Sequence, residues 1–341
     1  MLVLGLLIVA LVLAPLAFLL RGALEQGPAV ALAALRTPEL RSALGHTVVL
    51  AVVVTALSLV AGTAVALAFD RAQLRRPRRW RVALLLPLLV PQFSLTLSWS
   101  QAYGPSGLLE HLAGVTLPDL FGVTGIALVM IVDAVPVVWL IVTAGLAVRR
   151  EPDLVRAARA SGAGVWVTFR TIDLPLLRAP LLAAGAVVLV GVVNSFAVPQ
   201  VLGSAKGYRT LATLAYQQLS LSAAPAAFSR LCVVALVMVV LVLMTIGAAD
   251  RGLGRIGAAL VRSGTGGGQL VHRRTRVSRV VTSALTAYVA LTMAVPLLSL
   301  AVTSVTRAAG LSPVPANWAL TNYTSGLAGP ALAALTRTLL L

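Results

Sequence analysis

Long apolar runs alternate with short polar segments along this chain. A helix of about 20 apolar residues crosses the hydrocarbon core of a membrane, so each long run predicts a membrane span. Seven runs are long enough, and an eighth begins near Ala334. In chain order the seven are 1–20, 44–69, 82–102, 123–148, 179–202, 226–248 and 281–303. The pattern predicts an all-α polytopic membrane protein.

The composition supports a membrane protein and excludes two other classes. Apolar residues make up 59% of the chain and charged residues 11%, whereas soluble domains carry about 25% charge. This apolar content excludes a disordered chain. The single cysteine, Cys232, lies inside an apolar run and excludes an internal disulfide scaffold. The formal net charge of +17 would suggest a nucleic-acid partner in a soluble protein. Here we predict no nucleic acid, because membrane topology also sorts basic residues.

The basic residues predict how the chain is oriented. Segments 70–81, 149–178 and 249–280 hold 19 of the 27 lysines and arginines. Cytoplasmic loops carry such an excess, so we expect these three segments, and the N-terminus, on the cytoplasmic side. We interpret the arginines around Trp80 as a topology signal that contacts the lipid bilayer, with Trp80 as an interfacial anchor.

Segment 249–280 divides the chain. It contains a run of Ser, Thr and Gly at 263–268 followed by arginines, which is typical of a flexible linker. After it, Val295-Pro296-Leu297 resembles Ala14-Pro15-Leu16 in the first run, which indicates a duplicated module. We therefore predict a first module at 1–248, a linker at 249–280 and an incomplete second module at 281–341. We expect the chain to be C-terminally truncated, because it stops inside a helix.

The segment between spans four and five carries the most specific pattern. Pro152 suits the first turn of a short helix, and Gly162 can adopt the left-handed conformation that ends one. Ala157 and Ala158 have small side chains and form a smooth patch that another protein could approach closely. Trp166 adds a large apolar anchor. These features predict a segment that another protein contacts.

This segment resembles the coupling loop of the integral membrane permeases of ATP-binding cassette (ABC) importers. Their signature is Glu-Ala-Ala, three residues, Gly, nine residues, then Ile-x-Leu-Pro, and this chain matches every spacing, with Arg156 at the usual glutamate. The resemblance implies that this loop docks in a groove of a separate ATPase subunit. The coupling residues it implies are Arg156, Ala157, Ala158, Gly162, Trp166, Ile172, Leu174 and Pro175.

The likeness covers most of residues 82–248. Tyr103-Gly104-Pro105 and the run 195–203 are similar to fused, two-module permeases for ferric iron and their thiamine and phosphonate relatives. The resemblance implies a six-helix module in the bacterial plasma (inner) membrane. It further implies two ABC ATPase subunits as partners, an extracytoplasmic solute-binding protein, and ferric iron as the solute.

The resemblance also implies that this chain is not an enzyme and that its partner ATPase binds the ATP and Mg²⁺. A phosphate-binding loop needs Gly-x4-Gly-Lys-Ser/Thr, and the only lysine, Lys206, does not stand in that motif. His46, His111 and His272 lie far apart in the sequence, so we predict no metal and no cofactor bound by this chain.

Polar residues inside the spans are candidates for a translocation path. Asp133 lies deep in span four, where an ionisable group usually faces the bundle interior or a water-filled path. Pore lining, proton relay and a structural hydrogen-bonded acid all fit it. Collectively, the path candidates are Gln92, Thr96, Asp133, Asn194 and Ser195. The alternative function is a proton-coupled secondary transporter that uses Asp133.

Overall fold

The computed structural model describes residues 2–71, 74, 76–149, 157–158, 160–220, 226–260, 276–327 and 330–340. Within these ranges the backbone forms helices and no β-strand, and one isolated bridge pairs Thr306 with Trp318. The predicted all-α class is confirmed.

The helices follow the apolar runs. Their bounds are α1 Leu2–Leu24, α2 Pro28–Leu35, α3 Pro38–Arg71, α4 Pro77–Leu89, α5 Gln92–Tyr103, α6 Leu108–Ala113, α7 Val123–Arg149, α8 Val165–Thr168, α9 Leu174–Asn194, α10 Ala197–Gly203, α11 Leu211–Ser220, α12 Ala227–Leu260, α13 Arg276–Val289, α14 Val295–Ser304, α15 Thr321–Leu327 and α16 Pro330–Leu340. Two π-helical turns, Phe169–Asp173 and Ala290–Ala294, join α8 to α9 and α13 to α14. Short 3-10 turns lie at Ser204–Lys206 and Pro315–Asn317.

The number of candidate spans agrees with the sequence. Five helices in the described part of the chain are long and apolar enough to cross a membrane without a break. Two further bent pairs bring the total to seven, if each pair counts as one span. The eighth apolar segment forms α16, which has only 11 residues in the structure.

The predicted span 82–102 is not one continuous helix, because the chain turns sharply in its middle. α4 ends at Leu89, α5 begins at Gln92, and the two parts are bent by 99°. Pro91 explains the break: it has no N–H to donate and forces the preceding residue out of the helical region. Val90 is accordingly extended, with φ −83° and ψ 123°.

The predicted span 179–202 is also wrong at both ends. Its helix starts earlier, at Leu174, and continues back through the π turn to Val165. It ends at Asn194, where Ser195 becomes extended with φ −70° and ψ 122°. The apolar composition continues through this break, so a hydropathy pattern alone could not reveal it.

One large core surrounds α7, which packs against α3 and α9. α3 and α7 approach closely at Gly62 of α3, where an added Cβ would stand 2.5 Å from the Cβ of Val138. The core extends beyond the predicted linker, because Leu285 and Met293 belong to it. A smaller second core joins α1, α2, the start of α3, α11 and α12 around residues such as Leu211. The division into two modules stays a prediction.

The loops predicted to lie outside the cell meet at one end of the bundle. His46 stacks on Tyr208 with ring centroids 4.1 Å apart. Lys206 forms an ion pair with Asp119, and this neighbour holds the pKa of the Asp119 carboxyl below its usual range. The carboxylate therefore keeps its charge to lower pH than an unpaired aspartate. His111 contacts the carbonyl oxygen of Gly310 through Nε2, at 3.2 Å. Hence these loops share one side.

Thiol labelling can test which side this is. Cys232 is buried and free, so a Cys232→Ala background removes the only native thiol. In that background we expect Ser204→Cys, at the loop end just described, to react with a membrane-impermeant maleimide in intact spheroplasts. Arg78→Cys should react only after the membrane is opened. Both sites are exposed, so access to the reagent is the variable. The reverse pattern would show that the orientation from arginine counting is inverted.

Candidate functional site

The two helix breaks lie beside each other and beside the one acidic residue deep in α7. Gln92 is the first residue of α5, and Ser195 lies in the break that follows α9. Asp133 stands near the middle of α7. The sequence separates these residues by up to 103 positions, and the fold brings them into contact. We call Gln92, Asp133 and Ser195 the polar junction.

Hydrogen bonds link all three members of the polar junction. The Gln92 side chain donates from Nε2 to Oδ2 of Asp133, at 2.9 Å. Its Oε1 accepts a hydrogen bond from the Ser195 hydroxyl, at 3.0 Å. The amide thus uses its donor toward the acid and its acceptor toward the alcohol, which fixes its orientation. Asp133 and Gln92 are half-buried, and Ser195 is buried.

The other two path candidates do not join the polar junction. Thr96 is buried and donates to the backbone oxygen of Gln92, at 2.7 Å, so it stabilises the first turn of α5. Asn194 is exposed and donates to the Val190 backbone oxygen one turn earlier in α9. Three of the five predicted path residues therefore form one cluster.

Aromatic residues that were not among the predicted path residues connect the segment after the linker to this region. Trp99 donates from Nε1 to the backbone oxygen of Thr292, at 3.2 Å, and Tyr103 donates to that of Leu291. Both oxygens lie in the π turn Ala290–Ala294, a type of turn that interrupts the regular helical bonding. Tyr288 donates to the backbone oxygen of Val132, next to Asp133, at 3.3 Å. The spacing of Trp99 and Tyr103 by four residues was the available signal.

The polar junction offers one carboxylate, one carboxamide and one hydroxyl between three helices. Among the described residues, no group of three or more His, Cys, Asp or Glu side chains could hold a metal ion. The junction can hydrogen-bond or electrostatically attract a passing solute, and it joins two helix breaks that a conformational change could use as hinges.

The predicted coupling segment contains the expected helix end. Ala157 and Ala158 are helical, and Gly162 has φ +80°. The Ala163 amide donates to the Ala158 oxygen at 2.9 Å, which is the hydrogen bond of a Schellman cap. An added Cβ at Gly162 would meet nothing within 4 Å, so the backbone conformation is what favours glycine there. Arg156 lies outside the described residues.

An exposed aromatic side chain follows this cap. Trp166 in α8 is 69% exposed, although its ring lies near that of Phe169, with centroids 5.6 Å apart. Ile172, Leu174 and Pro175 are half-buried and lie where the π turn passes into α9. The half-buried residues fix the segment to the bundle, whereas Trp166 remains available for a contact.

Three features are typical of a membrane transport component. The spans are broken, a polar junction lies between them, and a segment with the exposed Trp166 follows a capped helix end. The chain belongs to the family of inner membrane components of binding-protein-dependent transport systems. The family description matches residues 80–250, which cover the polar junction and the whole of the predicted coupling segment.

Individual relatives agree with this family. The chain is 28% identical over 187 residues to the thiamine transport system permease protein ThiP of Brucella suis, a match that covers 53% of this chain and 34% of that protein. The Brucella abortus ThiP is 29% identical over the same coverage. The probable ABC transporter permease protein y4oQ of Sinorhizobium fredii is 30% identical over 170 residues, which cover 48% of this chain and 54% of that protein. The chain spans about a third of the length of the ThiP proteins it matches.

Proposed function

We propose that this chain is the membrane-spanning part of an ABC importer, and that residues 157–175 transmit force from an ATPase subunit. The observation that carries the proposal is the capped helix end at Gly162 followed by the exposed Trp166, within the region that matches the family. A large exposed aromatic side chain is a common anchor of protein interfaces.

The partners follow from this role. Two ATPase subunits would bind ATP and Mg²⁺, and an extracytoplasmic solute-binding protein would deliver the solute to the side where His46, Asp119 and Lys206 meet. The N-terminus would face the cytoplasm, and segment 281–341 would begin a second module after the linker 249–280.

The polar junction is our candidate for part of the translocation path. Its carboxylate suits a cationic solute, because a negative charge attracts cations most strongly where water is scarce. Ferric iron and thiamine, with its thiazolium ring, are both cations. The names of the Brucella relatives favour thiamine over ferric iron.

Trp166→Ser tests the coupling role. The protein in its full-length form, expressed with its candidate ATPase, should lose at least about tenfold in solute-stimulated ATP hydrolysis, since interface anchors of this type contribute roughly 2 kcal/mol or more. Ala158→Asp, which puts a charge on the small-residue patch, should reduce it similarly.

Trp318→Ser is the matched control. Trp318 is 55% exposed and pairs through its backbone with Thr306, at the end where we place the outside loops. Its replacement removes the same side chain and should leave ATP hydrolysis unchanged. If hydrolysis is normal in both Trp166→Ser and Ala158→Asp, the assignment of 157–175 as the coupling segment is wrong.

A further inference from the structure

A basic cleft lies between α4 and α13, and none of its described lining residues belongs to the polar junction or to the proposed coupling segment. It has a volume of about 520 Å³, and its walls are formed by Arg76, Arg79, Trp80, Ala83 and Thr282. We call it the arginine cleft. Thr282 comes from the segment after the linker, so the cleft lies between the two parts of the chain that we assign to different modules.

The charge of the arginine cleft is of one sign. Arg76 and Arg79 are exposed, and no acidic side chain is among the described residues that line the cleft. The flanking segments 72–75 and 261–275 contain no Asp or Glu in the sequence. Two guanidinium groups in a cleft whose described lining contains no carboxylate can hold an anion such as a phosphate ester, which accepts their parallel N–H groups.

The backbone at one lining residue of the cleft, Arg76, is strained. Arg76 has φ 71° and ψ 61°, a left-handed conformation that residues with a Cβ rarely adopt. Its backbone oxygen accepts a hydrogen bond from the Arg79 amide, at 3.1 Å, and this bond closes the first turn of α4. Such strain concentrates at binding sites, where the surrounding structure maintains it.

The surroundings of the cleft identify the anion as part of a lipid. Val82 on the α4 side is 63% exposed and Val280 on the α13 side is 67% exposed, so apolar surface flanks both walls. Trp80 is half-buried, a typical position for an indole at the membrane interface. A soluble anionic partner would gain nothing from this apolar border, whereas an acyl chain would cover it.

We propose that the arginine cleft binds the headgroup of an anionic phospholipid, such as phosphatidylglycerol. The phosphate lies between Arg76 and Arg79, and the acyl chains follow the exposed apolar surface beside Val82 and Val280. Because its walls come from α4 and α13, the bound lipid holds the segment after the linker against the first part of the chain. This inference does not depend on the proposed transport function.

The test compares two double variants of the same charge. The full-length protein in detergent is titrated with phosphatidylglycerol and with phosphatidylcholine of the same acyl chains, and bound lipid is counted by native mass spectrometry. Arg76→Gln/Arg79→Gln should reduce phosphatidylglycerol binding by about tenfold or more, because each arginine near an anionic lipid contributes roughly a fivefold gain in affinity. Arg78→Gln/Arg81→Gln removes two exposed arginines of the same helix that do not line the cleft, and should retain binding.

A further variant tests the space inside the cleft without changing its charge. Ala83→Phe fills the cleft and keeps every arginine, so it should also lose the bound lipid. Equal losses in the two arginine pairs, equal binding of phosphatidylcholine, or full binding by Ala83→Phe would each overturn the proposal. Displacement of the lipid by an equal concentration of sn-glycerol 3-phosphate would overturn it in favour of a soluble phosphate ester.

Discussion

Gly62→Leu is expected to prevent the chain from accumulating as folded protein. An added Cβ at Gly62 would lie 2.5 Å from the Cβ of Val138 and 3.1 Å from the backbone oxygen of Val135. Real Cβ atoms do not approach to 2.5 Å, so α3 and α7 would have to separate at the centre of the core. Overpacking typically costs about 1–3 kcal/mol, and a leucine at a backbone contact lies at the top of that range or above it.

The control lies on the same helix. Gly45 is exposed, and an added Cβ there would meet nothing within 4 Å. Gly45→Leu should therefore give a normal yield of monodisperse protein and a normal unfolding temperature, whereas Gly62→Ala should unfold at a lower temperature. Size-exclusion profiles and thermal unfolding in detergent measure both. A normal profile for Gly62→Leu would contradict the close α3–α7 contact.

Asp133→Leu is expected to reduce solute uptake by about tenfold or more. The substitution removes the acceptor of the Gln92 Nε2 hydrogen bond, and an unpaired donor away from water costs about 1–3 kcal/mol. Gln92 then no longer has a fixed orientation toward Ser195, so the two helix breaks lose their link. Uptake into proteoliposomes that contain the assembled transporter measures the effect, with thiamine as the first solute.

Asp133→Asn distinguishes the proposed importer from a proton-coupled transporter. The asparagine oxygen still accepts the hydrogen bond from Gln92, so ATP-driven uptake should persist at saturating solute, with a raised apparent KM because the negative charge is lost. It should also persist when uncouplers abolish the proton gradient. A secondary transporter that carries its proton on Asp133 would show no uptake by this variant at any solute concentration. That result would replace our proposal.

Much of the fold was predictable from hydropathy, because the apolar runs and the number of candidate spans follow from residue type alone. The breaks after Leu89 and Asn194 were not predicted. Pro91 is a local sequence signal for the first of these breaks. At the second break Ser195 is followed by apolar residues, so the sequence gives no local signal, and the extended backbone of Ser195 in the structure is what shows the break.

The candidate site was partly predictable for a similar reason. We expected an acid deep in a span and polar residues in neighbouring spans to line a path. Three of these candidates, Gln92, Asp133 and Ser195, contact one another in the structure, and their role in a path stays a prediction. Sequence does not show in which direction a side chain points. Asn194, next to Ser195, was therefore an equal candidate for the path, although its side chain is exposed. The role of Tyr288 depends on tertiary packing across the linker, which no local pattern contains.

The docking of Trp99 and Tyr103 on the π turn has a consequence for how this protein can evolve. Both rings bond to main-chain oxygens, at positions 292 and 291. Those oxygens are present whatever side chain the position carries. Position 291, whose leucine is 54% exposed, can therefore accept different residue types without loss of the hydrogen bond from Tyr103. For these two hydrogen bonds, selection therefore acts on Trp99 and Tyr103 rather than on the side chains of the π turn.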